Sequence, residues 1–548
     1  MESSAKRDTI LPNRLWPNRR DANARNSDFN TRDDDVNEDT EGEASPPKKQ
    51  KSHVHRMDVP LKPSEKSASL PPSRKRSLDK YHKSYNIDQA GTGVIALKDT
   101  DDNMLTHSES ERGRYNDAIE LLNSRRASAQ PSLEQMRGSD DMTKWLGLLG
   151  YSQTHLRTLN VIHVAGTSGK GSTCAYISSM LQSSGCKVGL YTSPHLLSIR
   201  ERIRINGKPI EEDAFASAFF EIWDKLPREA SADIDIPRYL QLLTLLSFHV
   251  FLKAKVDVAV YEPHMGGEYD ATNVVSSPVV TAVTRIAEDH VKFLGPTIEN
   301  IAWQKAGIFK PRCPAISSPQ NENVAKVLEQ RANEKDVMLL FVEPDSSLQV
   351  TRFQKENCSL AKAVVQTWIS LREPDRLTNL TKFIDLGIEK FDWPGRYQQI
   401  EEGNHTWFLD GAHNKSGLPT AVSWFAEMSE SQSFNIHPLR MVIFSHFSDR
   451  DGAELLRVIK ESLDREGLEI EHMILTTYTE RQDTQAKIDR NLKARSSVEK
   501  LHAYAGAWRA YKPSSTVYVE GTIEGALEKA RSLHLVSGAL GILETKGN

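Results

Sequence analysis

Apolar positions divide the chain into two unequal parts. Over residues 1–112 they are sparse and aperiodic among Asn, Asp, Ser, Pro, Lys and Arg. Such a stretch buries too little surface to offset chain entropy, so a disordered, low-complexity tail is expected there. Order is expected from Tyr115, after which Ala118, Leu121 and Leu122 repeat at helical spacing. Short solid apolar runs then alternate with helical ones. NVIHVA (160–165) and KVGLYT (187–192) flank a segment with apolar residues at 174, 177, 180 and 181. The pattern predicts strand, helix, strand, and hence a parallel pair joined by a right-handed crossover. VDVAVY (256–261) and VVTAV (279–283) read as further buried strands after a long helix over 238–252.

A second alternating series begins at Thr406: WFLD, a helix over 415–428, MVIF (441–444), a helix after Asp451, MILTT (473–477), TVYVE (516–520) and a helix through Ala530. The fold class is therefore α/β, with a parallel-sheet domain over 113–390 and a smaller Rossmann-like domain over 391–548.

Charge and cysteine usage remove several classes of function. Seventy basic against 74 acidic residues give a net charge of −4, which provides no global field for nucleic acid or anionic lipid. Cys174, Cys186, Cys313 and Cys358 lack CxxC spacing, which argues against a disulfide scaffold or thiolate zinc site and for a reducing compartment. The most apolar stretch, 239–261, is interrupted by Gln241, His249, Lys253, Lys255 and Asp257, so no membrane span is expected. The N-terminus carries no apolar signal-type segment. The cytoplasm is the expected compartment; the mitochondrion is an alternative, and the basic clusters at 48–51 and 74–76 leave the nucleus as a third.

The strongest chemical signal is Gly166-Thr167-Ser168-Gly169-Lys170-Gly171-Ser172, between a predicted strand and a predicted helix. Glycines let the backbone approach phosphates, N–H groups at the helix start form an anion nest, and Lys170 brings charge to the β- and γ-phosphates. The loop departs from GxxxxGK[ST] in having two residues, not four, between Gly166 and Gly169. A phosphate-bearing ligand is expected.

Further motifs follow in order: Tyr191-Thr192-Ser193-Pro194-His195-Leu196 with Glu201-Arg202-Ile203-Arg204; Glu262 with Gly266-Gly267-Glu268-Tyr269-Asp270-Ala271-Thr272-Asn273; Asp289-His290; Ile301-Ala302-Trp303-Gln304-Lys305-Ala306-Gly307-Ile308; Trp393-Pro394-Gly395-Arg396; and Asp410-Gly411-Ala412-His413-Asn414. Together with the short glycine loop they resemble the folylpolyglutamate and dihydrofolate synthases of the Mur ligase superfamily over most of 113–548. The resemblance implies an ATP- and Mg²⁺-dependent ligase, with a monovalent cation as a further cofactor. A folate γ-carboxylate would be activated to an acyl phosphate and then attacked by the amine of L-glutamate. Tetrahydrofolate and its polyglutamates are the implied partners, and a monomer the implied state.

By the same resemblance Ser193, Glu262 and His290 hold Mg²⁺. Lys305 is carbamylated and acts with Lys170 and His413 in catalysis, while Asn357 meets the adenine, Arg396 the phosphates and Asp410 the ribose. The residues alone leave blander readings open: Lys305 as a lysine snorkelling over apolar neighbours, Ser193 as a satisfied polar residue at a strand end, and His413 as a helix cap.

Three departures from the family pattern lie near the chemistry, the mildest being Ala287-Glu288 before Asp289-His290 in place of a usual glycine-containing pair. Pro263-His264-Met265 stands where a small or apolar residue and then glycine are usual, which adds bulk and a possible ligand beside the metal. SLHLVSGAL follows the last helix directly at 532, as if one strand of the second domain were missing. Dihydrofolate synthase and a diverged ATP-binding protein without ligase activity therefore stand as alternatives.

Overall fold

The computed structural model describes residues 102–126, 139–229, 235–430, 439–446, 451–481 and 498–532. The basic clusters of the tail, and the segment after 532 where a strand was expected to be missing, lie outside the described residues. The first helix runs Asp102–Ser124, and its second half buries Tyr115, Ala118, Ile119 and Leu122.

An eight-stranded sheet forms the centre, in the order β4-β3-β2-β5-β1-β6-β7-β8. Its strands are β1 (Ile162–Ala165), β2 (Val188–Tyr191), β3 (Ile203–Ile205), β4 (Lys208–Pro209), β5 (Val258–Tyr261), β6 (Val280–Val283), β7 (Ala315–Ser317) and β8 (Leu339–Phe341). From β2 to β8 the pairing is parallel, as the strand-helix-strand pattern requires. Every residue of β1, β2, β5 and β6 is buried. That burial explains why these strands read as solid apolar runs: helices cover both faces.

At one edge of this parallel-dominated sheet β3 and β4 add antiparallel. Asn206 and Gly207 both have left-handed backbone, φ 49° and 76°. An Asn-Gly pair of that kind is a strong hairpin signal, overlooked because the flanking strands are only three and two residues long.

One face of the sheet packs on helices Asp102–Ser124, Glu212–Trp223 and Tyr239–Ala254, with Phe215, Phe219, Phe248 and Phe251 in the core. The other packs on Lys170–Ser183, Arg352–Arg372 and Leu380–Glu389, where Trp368 is buried and Tyr176 stacks on Phe391. Two-sided cover of this kind supplies most of the stability of a parallel sheet.

The C-terminal part begins with the antiparallel hairpin β9 (Gln398–Glu402) and β10 (His405–Leu409). WFLD, expected to open the second alternating series, is thus half of a separate hairpin. The two-residue Gly403-Asn404 loop, with Gly403 at φ 57°, turns the chain back on itself. The series proper is the parallel sheet β11 (Met441–Phe444), β12 (His472–Thr476) and β13 (Thr516–Glu520), in sequence order. It is flanked by helices Gly417–Glu430, Gly452–Arg465, Val498–Tyr511 and 523–532. Leu456, Leu501, Ala505 and Trp508 are fully buried in its core. Among the described residues no helix is long and apolar enough to cross a membrane.

Candidate functional site

The glycine loop leaves the C-terminal end of β1, a central strand, where ligands of open α/β sheets gather. Gly166 (φ 142°) and Gly169 (φ 89°) occupy backbone conformations that disfavour side chains. A Cβ at Gly166 would collide with the Thr284 hydroxyl, and one at Gly169 with the Asn357 amide. Thr167 ties the loop down: its N–H donates to the Arg285 carbonyl (3.0 Å) and its hydroxyl to that of Ala287 (2.9 Å). Gly169 caps helix Lys170–Ser183 without any side-chain acceptor, so the helix N–H groups at Gly171 and Ser172 face the loop as anion donors.

Lys170 Nζ donates to the Thr167 carbonyl at 3.2 Å and lies 3.7 Å from Glu262 Oε1. Glu262 is buried just beyond β5. Its N–H donates to the Tyr191 carbonyl (2.9 Å), and its Oε2 accepts from the Ser193 N–H (3.1 Å). Burial pushes the Glu262 carboxyl up, opposed by Lys170, the Ser193 amide, Arg396 and His264. Ser193 Oγ accepts from the Arg202 guanidinium (2.8 Å), which also donates to His195 Nδ1 (2.8 Å). Arg202, itself buried, is thus a positioning residue within the ERIR motif that sequence reasoning left without a role.

Lys305 is 3% exposed, which rules out the snorkelling reading. Its amine donates to the Gly166 carbonyl at 2.7 Å, joining the helix Ile298–Lys305 to the phosphate loop. Burial and then the nearby Lys170 bring it down to about 7, against the opposing pull of Asp289 and Glu262. His290 opens the short helix Val291–Leu294 with left-handed backbone, its Nε2 3.7 Å from Asp289 Oδ2. It is the most exposed of the three residues expected to hold metal: its side chain is 37% accessible, against 5% for Glu262.

The WPGR and DGAHN motifs reach the same place. Asn357 accepts from the Thr173 hydroxyl at 3.4 Å. Ser416 Oγ lies 3.4 Å from Ser168 Oγ of the loop. Arg396 donates to the Gly395 carbonyl (2.8 Å) and lies against the Gly411 backbone. Both Asp410 oxygens take backbone N–H groups, from Tyr397 (3.0 Å) and Ala412 (2.8 Å), and burial pushes its carboxyl up. His413 is exposed, with Nδ1 2.8 Å from the Gly411 carbonyl. The capping role belongs to Asn414, whose Oδ1 accepts from the Gly417 N–H (2.8 Å) at the head of helix Gly417–Glu430.

His264 does not project toward Glu262 as a further ligand, as its bulk had suggested. Its ring pairs with Asp270 and with the Tyr191 hydroxyl.

The donor set suits a hard cation. Glu262 is a buried carboxylate whose nearest cation stands beyond hydrogen-bond length, and the Ser193 backbone N–H donates to it. Among the described residues no three His, Cys, Asp or Glu side chains form a metal cluster. The residues therefore fit Mg²⁺ held by one or two protein oxygens plus phosphates and water, its usual arrangement with nucleotides.

Residues 164–362 match the Mur ligase middle domain. A folylpolyglutamate synthase of Neurospora crassa is 37% identical over 487 residues, covering 78% of this chain and 91% of that protein. The mitochondrial folylpolyglutamate synthase of Cricetulus griseus is 36% identical, covering 63% and 66%. The solved structure of Mycobacterium tuberculosis folylpolyglutamate synthase complexed with ADP matches with a TM-score of 0.62 at 25% identity, covering 77% of this chain and 92% of that one. Loop, sheet and matched segment define a Mur-ligase-type nucleotide-binding protein. Within that class, the chain belongs to the folylpolyglutamate synthase family.

Proposed function

We propose that this chain is an ATP-dependent ligase that adds L-glutamate, through γ-linked amide bonds, to tetrahydrofolate and its polyglutamates. The reading rests on one arrangement: a phosphate loop, a buried carboxylate and a buried lysine held near neutrality converge at the end of β1. The alignment supports it by spanning 91% of a synthase 37% identical.

The roles proposed for the site residues are those the resemblance implies, supported by their placement around the loop. The loop N–H groups and Lys170 take the β- and γ-phosphates, and Arg396 approaches them from the WPGR segment. Asn357, lying across Gly169, takes the adenine, and Asp410 the ribose. Glu262 and Ser193 would hold Mg²⁺, with His290 at the rim; when bound, the ion would neutralise charge on the phosphate oxygens. The Lys305 amine, partly unprotonated at neutral pH, can add carbon dioxide: an N–C bond forms, one proton leaves, and the site gains an anion.

In the reaction a folate γ-carboxylate oxygen attacks the γ-phosphorus, the bond to the bridging oxygen breaks and ADP leaves. Lys170 and Arg396 offset the charge on the transferred group. The glutamate amine then attacks the acyl carbon and phosphate departs. With Nδ1–H of His413 on the Gly411 carbonyl, Nε2 is the atom placed to accept the amine proton. Contacts from both sides of the loop would exclude water that hydrolyses the acyl phosphate.

The test is incubation of purified protein with ATP, Mg²⁺, labelled glutamate and either tetrahydrofolate or dihydropteroate. Label on tetrahydrofolate is the expected result. Label on dihydropteroate alone would make the chain a dihydrofolate synthase, and ATP binding with no incorporation would defeat both ligase readings. The proposed compartment is the cytoplasm; the relative named mitochondrial makes that organelle the alternative for cell fractionation.

A further inference from the structure

His264 stands where the family pattern has glycine, yet its ring is only 5% exposed and both nitrogens are engaged. Nδ1 lies 3.3 Å from Asp270 Oδ2, and Nε2 2.6 Å from the Tyr191 hydroxyl. Asp270 Oδ2 also accepts from the N–H groups of His264 (2.8 Å) and Met265 (3.1 Å), while Oδ1 accepts from the Thr272 N–H (3.0 Å) and hydroxyl (2.7 Å). Burial alone would raise the Asp270 carboxyl, but the His264 imidazole and these bonds outweigh it and hold it below the usual carboxylate range. An ionised Asp270 only accepts, so Nδ1 carries the hydrogen of that pair, and Nε2 shares a second hydrogen bond with the Tyr191 hydroxyl.

The two ends of this chain of bonds meet opposite parts of the site. Tyr191 holds the Glu262 backbone N–H through its carbonyl and the His264 ring through its hydroxyl, so it contacts the residues on both sides of Pro263. At the other end, Gly267 packs so closely on the Gln304 and Lys305 carbonyls that a Cβ would lie 2.7 and 2.8 Å from them, and the Glu268 N–H donates to Gln304 (2.8 Å). The loop 262–270 therefore bridges the buried carboxylate and the buried amine.

We propose that His264 is a positioning residue: by stapling loop 262–270 to the end of β2, it sets the spacing between Glu262 and Lys305 and so the affinity of the site for nucleotide-bound Mg²⁺. The inference rests on the metal role proposed for Glu262.

The experiment titrates MgCl₂ against a non-hydrolysable ATP analogue by calorimetry, alongside amide formation and thermal midpoint. His264→Leu keeps the volume and removes both hydrogen bonds. It should raise the Mg²⁺ needed for half-maximal analogue binding about tenfold and lower kcat similarly, with the KM for folate unchanged. His264→Asn retains an N–H where Nδ1 stands and should stay within about threefold of wild type. Tyr191→Phe deletes one hydroxyl and should shift the Mg²⁺ requirement in the same direction as Leu, so it carries the test if the Leu variant does not fold.

A wild-type Mg²⁺ requirement in the Leu and Phe variants, or an Asn variant impaired as deeply as Leu, overturns the proposal. So does a Leu variant that loses thermal midpoint alone. A wild-type protein that binds the analogue with Mg²⁺ but never forms the amide defeats the ligase reading, while the titration still decides the role of His264.

Discussion

The central sheet and the C-terminal part contribute to the site in opposite styles. Around β1 Glu262 and Lys305 are buried, and the groups there are held by named bonds: Lys305 on Gly166, Ser193 on Glu262 and Arg202, Thr167 on Ala287. On the C-terminal side β9 and β11 are only partly buried throughout. The residues offered from there, Arg396 and His413, are anchored to neighbouring carbonyls of their own loops. Low dielectric strengthens electrostatics on the first side. Arg396 and His413 on the second side can approach a bound nucleotide without a buried charge having to be maintained at those positions in its absence, whereas Asp410 is held by two backbone N–H groups. Chemistry should therefore fail most when the first side is altered.

The largest effect is expected at Lys170. Its amine bonds to its own loop, and its loss removes charge at the phosphates without opening a core. Lys170→Ala should lower kcat/KM by about 10³-fold with little change in thermal midpoint. Near-wild-type turnover would break the assignment of the loop as the phosphate cradle.

Lys305 sharpens the contrast because its burial carries an energetic cost. Its folded value of about 7 lies below the ordinary 10.5. Between these values the unfolded chain binds a proton that the folded chain does not, so stability falls as pH drops through that window and the deficit stays complete below it. In buffer stripped of carbon dioxide, Lys305→Met should be more stable than wild type at pH 7, on the order of a few kcal/mol, and this gain should vanish near pH 10.5. The same variant should lose about 10²-fold or more in activity. Bicarbonate should restore stripped wild type and leave the variant inactive. Equal thermal midpoints for variant and wild type at pH 7 would contradict the burial argument.

The contrast between the sheets also decides what could be read from sequence. Strands buried on both faces write themselves as apolar runs, so β1, β2, β5 and β6 were legible to within two residues. Half-buried β9, QQIEE, carries no such pattern, and the antiparallel β3–β4 and β9–β10 pairs were announced only by Asn206-Gly207 and Gly403-Asn404. Motif residues were legible as short segments: the glycine loop, Ser193 and Glu262 lie just past the ends of β1, β2 and β5, while Lys305 and Asn357 lie on helices. Their partners were not: the Arg202 bonds to Ser193 and His195, and the Tyr191–His264–Asp270 chain, join residues brought together by strand order, which spacing along the chain does not encode. The snorkelling reading of Lys305 failed for the same reason, since the Gly166 carbonyl that receives its amine is 139 residues away.

The smallest effect is expected on the C-terminal side, where it can be produced without touching the charged residue. Arg396→Ala should cost about tenfold in kcat/KM, as befits a half-exposed guanidinium acting beside a buried lysine. Gly411 has no left-handed backbone, so alanine is tolerated conformationally, but its methyl would collide with the Arg396 guanidinium. A guanidinium at the end of a flexible side chain moves aside at little cost to folding. Gly411→Ala should therefore keep its thermal midpoint, lose roughly as much activity as Arg396→Ala, and add nothing when combined with it. Additive losses in the double variant would mean that Gly411 serves the site by a route other than aiming Arg396, and the C-terminal loops would then hold a second contribution as closely fixed as those around β1.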